Sequence, residues 1–171
     1  MPKQKGFSLI ELLIVVAIIL VIAAIAIPNL LRARMAANDS SAAGSLHAIN
    51  VGEVAYFGSY EQIGFPLTLA PLGGADPCIA TPATGCFIDN NVATNGGGAG
   101  KSGYTFAATG SATAGSPNNN RFYATATPIS NLSGTRAYCS TEDMVVRLQP
   151  PGTITLVAGY APCIALSPMD N

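Results

Sequence analysis

Residues 7–28 read Phe7-Ser-Leu-Ile-Glu11-Leu-Leu-Ile-Val-Val-Ala-Ile-Ile-Leu-Val-Ile-Ala-Ala-Ile-Ala-Ile27-Pro28, an apolar run interrupted only by Ser8 and Glu11. About 21 residues at 1.5 Å per residue make roughly 31 Å of helix, the thickness of one bilayer core. The simplest reading is a transmembrane anchor. A Sec signal peptide fits poorly, because the run is too long and no A-x-A site closes it. Glu11 needs a further explanation, because a carboxylate deep in hydrocarbon costs roughly 2.5 kcal/mol or more when unpaired. The run holds no cation, so a charged partner must come from another molecule or from a charge made by processing.

Upstream lies Met1-Pro-Lys-Gln-Lys-Gly6, which is short, basic and polar. The string Lys5-Gly6-Phe7-Ser8-Leu9-Ile10-Glu11 resembles the processing motif of type IV prepilins and type II secretion pseudopilins. The likeness continues through Leu12-Leu13-Ile14-Val15-Val16 to Pro28, and more loosely to about Tyr60. It implies that residues 1–6 form a leader, cut after Gly6 by a prepilin peptidase that also methylates the new N-terminus at Phe7. A free α-amino group ordinarily titrates near pH ~8 and is largely cationic at neutral pH. By this resemblance, Phe7 of one subunit pairs with Glu11 of a neighbour in a filament core. Such a pair sets register more than it adds stability, because a misplaced subunit leaves a buried charge unpaired.

Downstream, residues 29–60 are rich in Ala and carry Gly44, Gly52 and Gly58 as soft points. Leu46, Ile49, Glu53, Tyr56 and Tyr60 mark one helical stripe, and Leu46, Ile49, Val54 and Phe57 an overlapping one. The second half of the helix is therefore expected to be amphipathic, with one face on a globular domain and the other toward neighbouring subunits. Pro28 removes a helical hydrogen bond and crowds the preceding turn, so a kink or local melting is expected there.

From Ile63 onward the texture changes to Gly, Pro, Thr, Asn and Ala. Short segments rich in Thr, Val and aromatics predict strands at Tyr104–Ala108, Arg121–Thr127, Arg136–Cys139, Met144–Leu148 and Thr153–Ala158. Gly96–Gly100 and Thr109–Asn120 are expected to be flexible surface loops. The fold class is α+β: a long N-terminal helix packed on a small antiparallel sheet, which the resemblance also implies as the pilin fold. The expected divisions are a leader at 1–6, a transmembrane or filament-core helix at 7–28, an amphipathic half at 29–60 and a disulfide-containing β domain at 61–171.

The four cysteines all follow the apolar run and contain no CxxC pair. An even number in such a region fits two disulfides in an oxidising compartment. Three pairings are possible. Cys78–Cys86 and Cys139–Cys163 each close a local loop, worth about 2.5 and 3.5 kcal/mol by chain entropy. The second resembles the C-terminal disulfide loop of many pilins, whereas the first departs from the commonest pilin pattern.

Charged residues make up 10% of the 171 residues and the net charge is -1. Without a basic run, the chain gives little footing for nucleic acid. His47 is the single histidine, and neither it nor Asp39 and the nearby serines form a Ser-His-Asp pattern. Gly96–Ser102 (GGGAGKS) lacks the spacing of a phosphate-binding loop. No enzyme activity, cofactor, metal or catalytic residue is expected. The leading reading is a structural subunit of a type IV pilus filament. Its implied partners are copies of itself, the prepilin peptidase and methyltransferase, the pilus assembly machinery and the inner membrane. The N-terminus is expected in the cytoplasm and the C-terminal domain in the periplasm, before export to a surface pilus. A secretion pseudopilin is the alternative, and a membrane-anchored periplasmic binding protein is a third.

Overall fold

The computed structural model describes residues 6–150, 152 and 159–169. The chain divides into two compact units, Met1–Arg34 and Met35–Asn171. Helix α1, Leu9–Ser59, contributes to both. Leu, Ile, Val and Ala in the first half and Ala in the second sustain it, because none of these residues competes for backbone hydrogen bonds. Pro28 lies inside α1, and the helix continues on both sides of it. The local melting expected at Pro28 does not occur in the single chain. One missing N–H is tolerated where long stretches of good helix former lie on either side.

In the first unit, the large side chains from Phe7 to Ile27 are all exposed. In the second, α1 becomes amphipathic. Leu46, Ile49, Glu53 and Tyr56 are buried along one stripe, whereas Val54 is 48% exposed on another face. The first of the two expected stripes therefore faces the core, and Val54 does not join it.

Among the described residues, four antiparallel strands follow in the order β1-β2-β3-β4: Tyr104–Ser111, Arg121–Pro128, Tyr138–Thr141 and Arg147–Leu148. The first two expected strands lie at these places and run slightly longer. The third starts two residues later than Arg136, and the fourth shrinks to its last two residues. Thr141 to Met144 forms a turn instead, held by the Asp143 carboxylate, which accepts from Thr141 Oγ1 and Val145 N–H. Thr153–Ala158 lies outside the described residues, as do Met1–Lys5 of the expected leader.

On the inner face the β1–β2 register sets Phe106 against Ala126 and Phe122 against Gly110, with the small pair Ala108 and Ala124 between them. This arrangement leaves room for a helix to lie on the sheet. Leu46, Ile49 and Tyr56 of α1 share one apolar cluster with Tyr104, Phe106, Phe122, Ala124 and Tyr138. On β3 the side chains alternate between two covered faces. Ser140 meets Asn50 of α1, while Cys139 joins Cys163 on the other side. Cys163 sits in the one-turn helix α3, Tyr160–Ile164 (α2 is the four-residue turn Asn90–Ala93). All four β3 residues are buried for this reason.

The connection from α1 to β1 adds the buried Leu69 and Leu72 to the core cluster. It passes close to the helix at Gly52, where a Cβ would stand 2.6 Å from Ile88 Cγ2. Cys78 and Cys86 are disulfide-bonded within it. The β1–β2 loop is better anchored than its composition suggests. Asn118 Nδ2 donates to Glu61 O, Asn119 Nδ2 donates to Phe65 O, and Phe65 N–H donates to Asn119 O.

Candidate functional site

The outstanding surface is the first half of α1. Phe7 and Leu9 are each 80% exposed, and the large apolar residues through Ile27 expose between 47% and 80%. A continuous apolar surface of this extent marks a contact with a membrane or with other protein. The helix is long and apolar enough to cross a bilayer.

Glu11 is the acidic residue in the first turn of α1. Its Oε2 accepts a hydrogen bond of 3.0 Å from Ser8 N–H, and Glu11 N–H in turn donates to Ser8 O at 3.1 Å. Ser8-Leu9-Ile10-Glu11 thus has the spacing of a capping box, with the glutamate reaching back to an otherwise unpaired amide. The S-x-x-E spacing is visible in the sequence, although Ser8 reads there as no more than a polar interruption. Glu11 therefore has a partner within its own chain in the Ser8 amide. A carboxylate has acceptor sites for more than one donor, so this bond leaves capacity for a cation. Gly6 and Phe7 are both exposed.

A family model described as the prokaryotic N-terminal methylation motif matches residues 1–27. The chain is type IV pilin-like. It is 65% identical over 40 residues to the type IV wide pilus major component PilA4 of Thermus thermophilus, covering 23% of this chain and 30% of that protein. It is 41% identical over 61 residues to the type IV major pilin protein PilA of Myxococcus xanthus, covering 36% of this chain and 28% of that protein. The chain thus spans less than a third of the length of either relative it matches. No solved structure matches it.

In this pilin-like chain, the second half of α1 is tied to the sheet by polar residues that sequence reasoning did not single out for that role. Asp39 accepts from Tyr104 Oη at 2.6 Å, Thr135 N–H at 3.1 Å and Thr135 Oγ1 at 2.6 Å. Burial, with the Asp39 contact adding to it, pushes the Tyr104 phenol far above its ordinary range. Asn50 accepts from Ser140 Oγ at 2.6 Å. Their partners lie between 65 and 96 positions away, so no local spacing announces them.

Asp39, Ser40 and His47 border one open cavity of about 680 Å³, together with Val145, Val146 and Met169. Their hydrogen bonds do not connect them as a catalytic set. Asp39 is engaged with Tyr104 and Thr135, and Ser40 Oγ donates to Ala36 O. Lys101 of the GGGAGKS stretch lies 3.7 Å from Asp89, and strand β1 follows it. Cys78–Cys86 and Cys139–Cys163 are disulfides, and no free cysteine occurs among the described residues.

Proposed function

We propose that this chain is a structural subunit of a type IV pilus, processed after Gly6, methylated at Phe7 and assembled through the exposed half of α1. The observation that carries the reading is the conjunction of that exposed apolar helix with one carboxylate at Glu11, inside a segment matching the methylation motif. The apolar surface suits lipid before assembly and the packed helices of other copies afterwards. Removing the leader would place an amino group at Phe7, four residues before Glu11. That cation, on a neighbouring copy, would supply the charged partner for Glu11 in an apolar filament core. Pro28 is the point at which the helix would loosen on assembly, because one hydrogen bond is already absent there.

The prepilin peptidase, its methyltransferase activity and the pilus assembly machinery are the implied partners. The precursor would sit in the inner membrane with its N-terminus cytoplasmic and its disulfide-bonded domain periplasmic, and the mature chain on the cell surface. The names of the two relatives, both pilus components, favour a pilus over a secretion pseudopilus. Shearing intact cells and probing the released fibres tests the reading. The chain should be recovered as a major part of those fibres. Retention wholly in the cell envelope, with fibres that lack it, would overturn the pilus assignment.

A further inference from the structure

Glu53 lies on the buried stripe of α1, one turn from both Ile49 and Tyr56, which belong to the apolar cluster against the sheet. Its exposure is 0%, and both carboxyl oxygens are buried without a hydrogen-bond partner among the described residues. The polar groups beside it are satisfied. Asn50 Oδ1 accepts from Ser140 Oγ, and Tyr56 Oη donates to Pro82 O at 2.7 Å. Gly52, its neighbour, is pressed against Ile88, Phe87 and Leu72. A carboxylate in this position would carry a charge shielded from bulk solvent, with no counter-ion beside it among the described residues.

We propose that docking of the second half of α1 onto the sheet is proton-linked through Glu53, with the carboxyl neutral in the docked state. Opening the seam to water lets the carboxyl ionise, so rising pH favours opening.

The surrounding ionisable groups leave Glu53 to act alone. On α1, Asp39 is engaged with Tyr104 and Thr135, and His47 is exposed. Beside Ile88, Asp89 is near Lys101. On the sheet side, Asp143 is held by Arg147, and Glu142 accepts from Tyr160 Oη and lies 3.8 Å from Arg121. Tyr56 and Tyr60 are titratable residues on the same stripe, and burial, followed by Tyr60 and Glu53, raises the Tyr56 phenol. Burial alone pushes Glu53 from 4.5 to about 8.

The sign follows from proton counts. Below pH 4.5 both states keep the proton and the pH has no effect. Between 4.5 and about 8 the docked state holds a proton that the open state has lost, so each pH unit multiplies the opening constant about tenfold. Above about 8 the effect levels off. The docked state is thus stabilised toward acid and loses that advantage as the pH rises, whether or not the chain assembles.

The test is chemical unfolding of the full chain in detergent micelles, followed by circular dichroism at about pH 5.5 and 7.5, for wild type, Glu53→Gln and Glu53→Leu. The wild-type unfolding constant should rise about a hundredfold more over this interval than that of either variant. Equal pH dependence in wild type and variants would overturn the proposal. If neither variant folds, the side-chain carboxyl resonance of carbon-13-labelled Glu53 in the wild type decides. A midpoint near 8 supports the linkage, and one near 4.5 refutes it.

Discussion

Replacing Asp39 tests how α1 is fastened to the domain. The carboxylate receives three hydrogen bonds, from Tyr104 Oη, Thr135 N–H and Thr135 Oγ1. In Asp39→Ala, Tyr104 keeps a second acceptor, Arg136 O at 2.8 Å. The amide and hydroxyl of Thr135 both lose their acceptor in a half-buried position. Hydrogen bonds to charged groups contribute about 1.5–3 kcal/mol each and do not add fully, so the expected loss is about 3 kcal/mol. For a unit of this size that lowers the melting temperature by roughly 10 °C. In Asp39→Asn the remaining oxygen can still accept from Tyr104 and the Thr135 amide. The new NH₂ takes the other oxygen's place, and the Thr135 hydroxyl can turn to accept from it. The expected loss is only about 1 kcal/mol, from the neutralised acceptor. Thermal melts of the full chain in detergent, under non-reducing conditions, read both values. An alanine variant within about 0.5 kcal/mol of wild type, or an asparagine variant as damaged as the alanine one, would refute this account of the seam.

Two further outcomes follow from the disulfides and from Glu11. Exchanging both Cys139 and Cys163 for serine should lower stability by about 3.5 kcal/mol, against about 2.5 for the Cys78 and Cys86 pair, because the first closes the longer loop. Cys139 and Cys163 are also fully buried, so serine there adds a polar desolvation cost, and a reversed order in thermal melts would contradict the loop argument. Glu11→Leu should leave membrane insertion intact, since it only adds apolar surface. Its fibre yield, measured by shearing, should fall at least about a hundredfold, matching about 3–5 kcal/mol for breaking a buried charge pair. Wild-type fibre yield from that variant would show that Glu11 has no part in assembly.

The sequence announces what is local. The apolar run, its single carboxylate and the Lys5-Gly6-Phe7 junction are contiguous, so the candidate site is visible without a structure. The α+β class and the places of β1 and β2 are legible for a similar reason, since alternation over a strand's length survives in one short window. The expected fourth strand is too long because Met144–Val146 has strand-like side chains, and nothing local says that Asp143 folds back on Arg147 and Val145. The one-turn helix α3 carries Pro162 and is held by Cys163 and Tyr160 rather than by helix propensity. Least legible are Asp39, Asn50 and Glu53. All three are polar residues on an amphipathic helix, and the sequence cannot distinguish a solvated one from one paired across the core or buried unpaired. Glu53 falls on the correct stripe, but its burial without a partner depends on apolar residues from distant segments.

The measurement closest to the central claim is an intact mass with N-terminal peptide mapping of the chain recovered from sheared surface fibres. The account predicts a mature chain that begins at Phe7, carries one added methyl group on its amine and retains both disulfides. A chain that begins at Met1, found only with membranes, would contradict it and leave an anchored domain that builds no fibre.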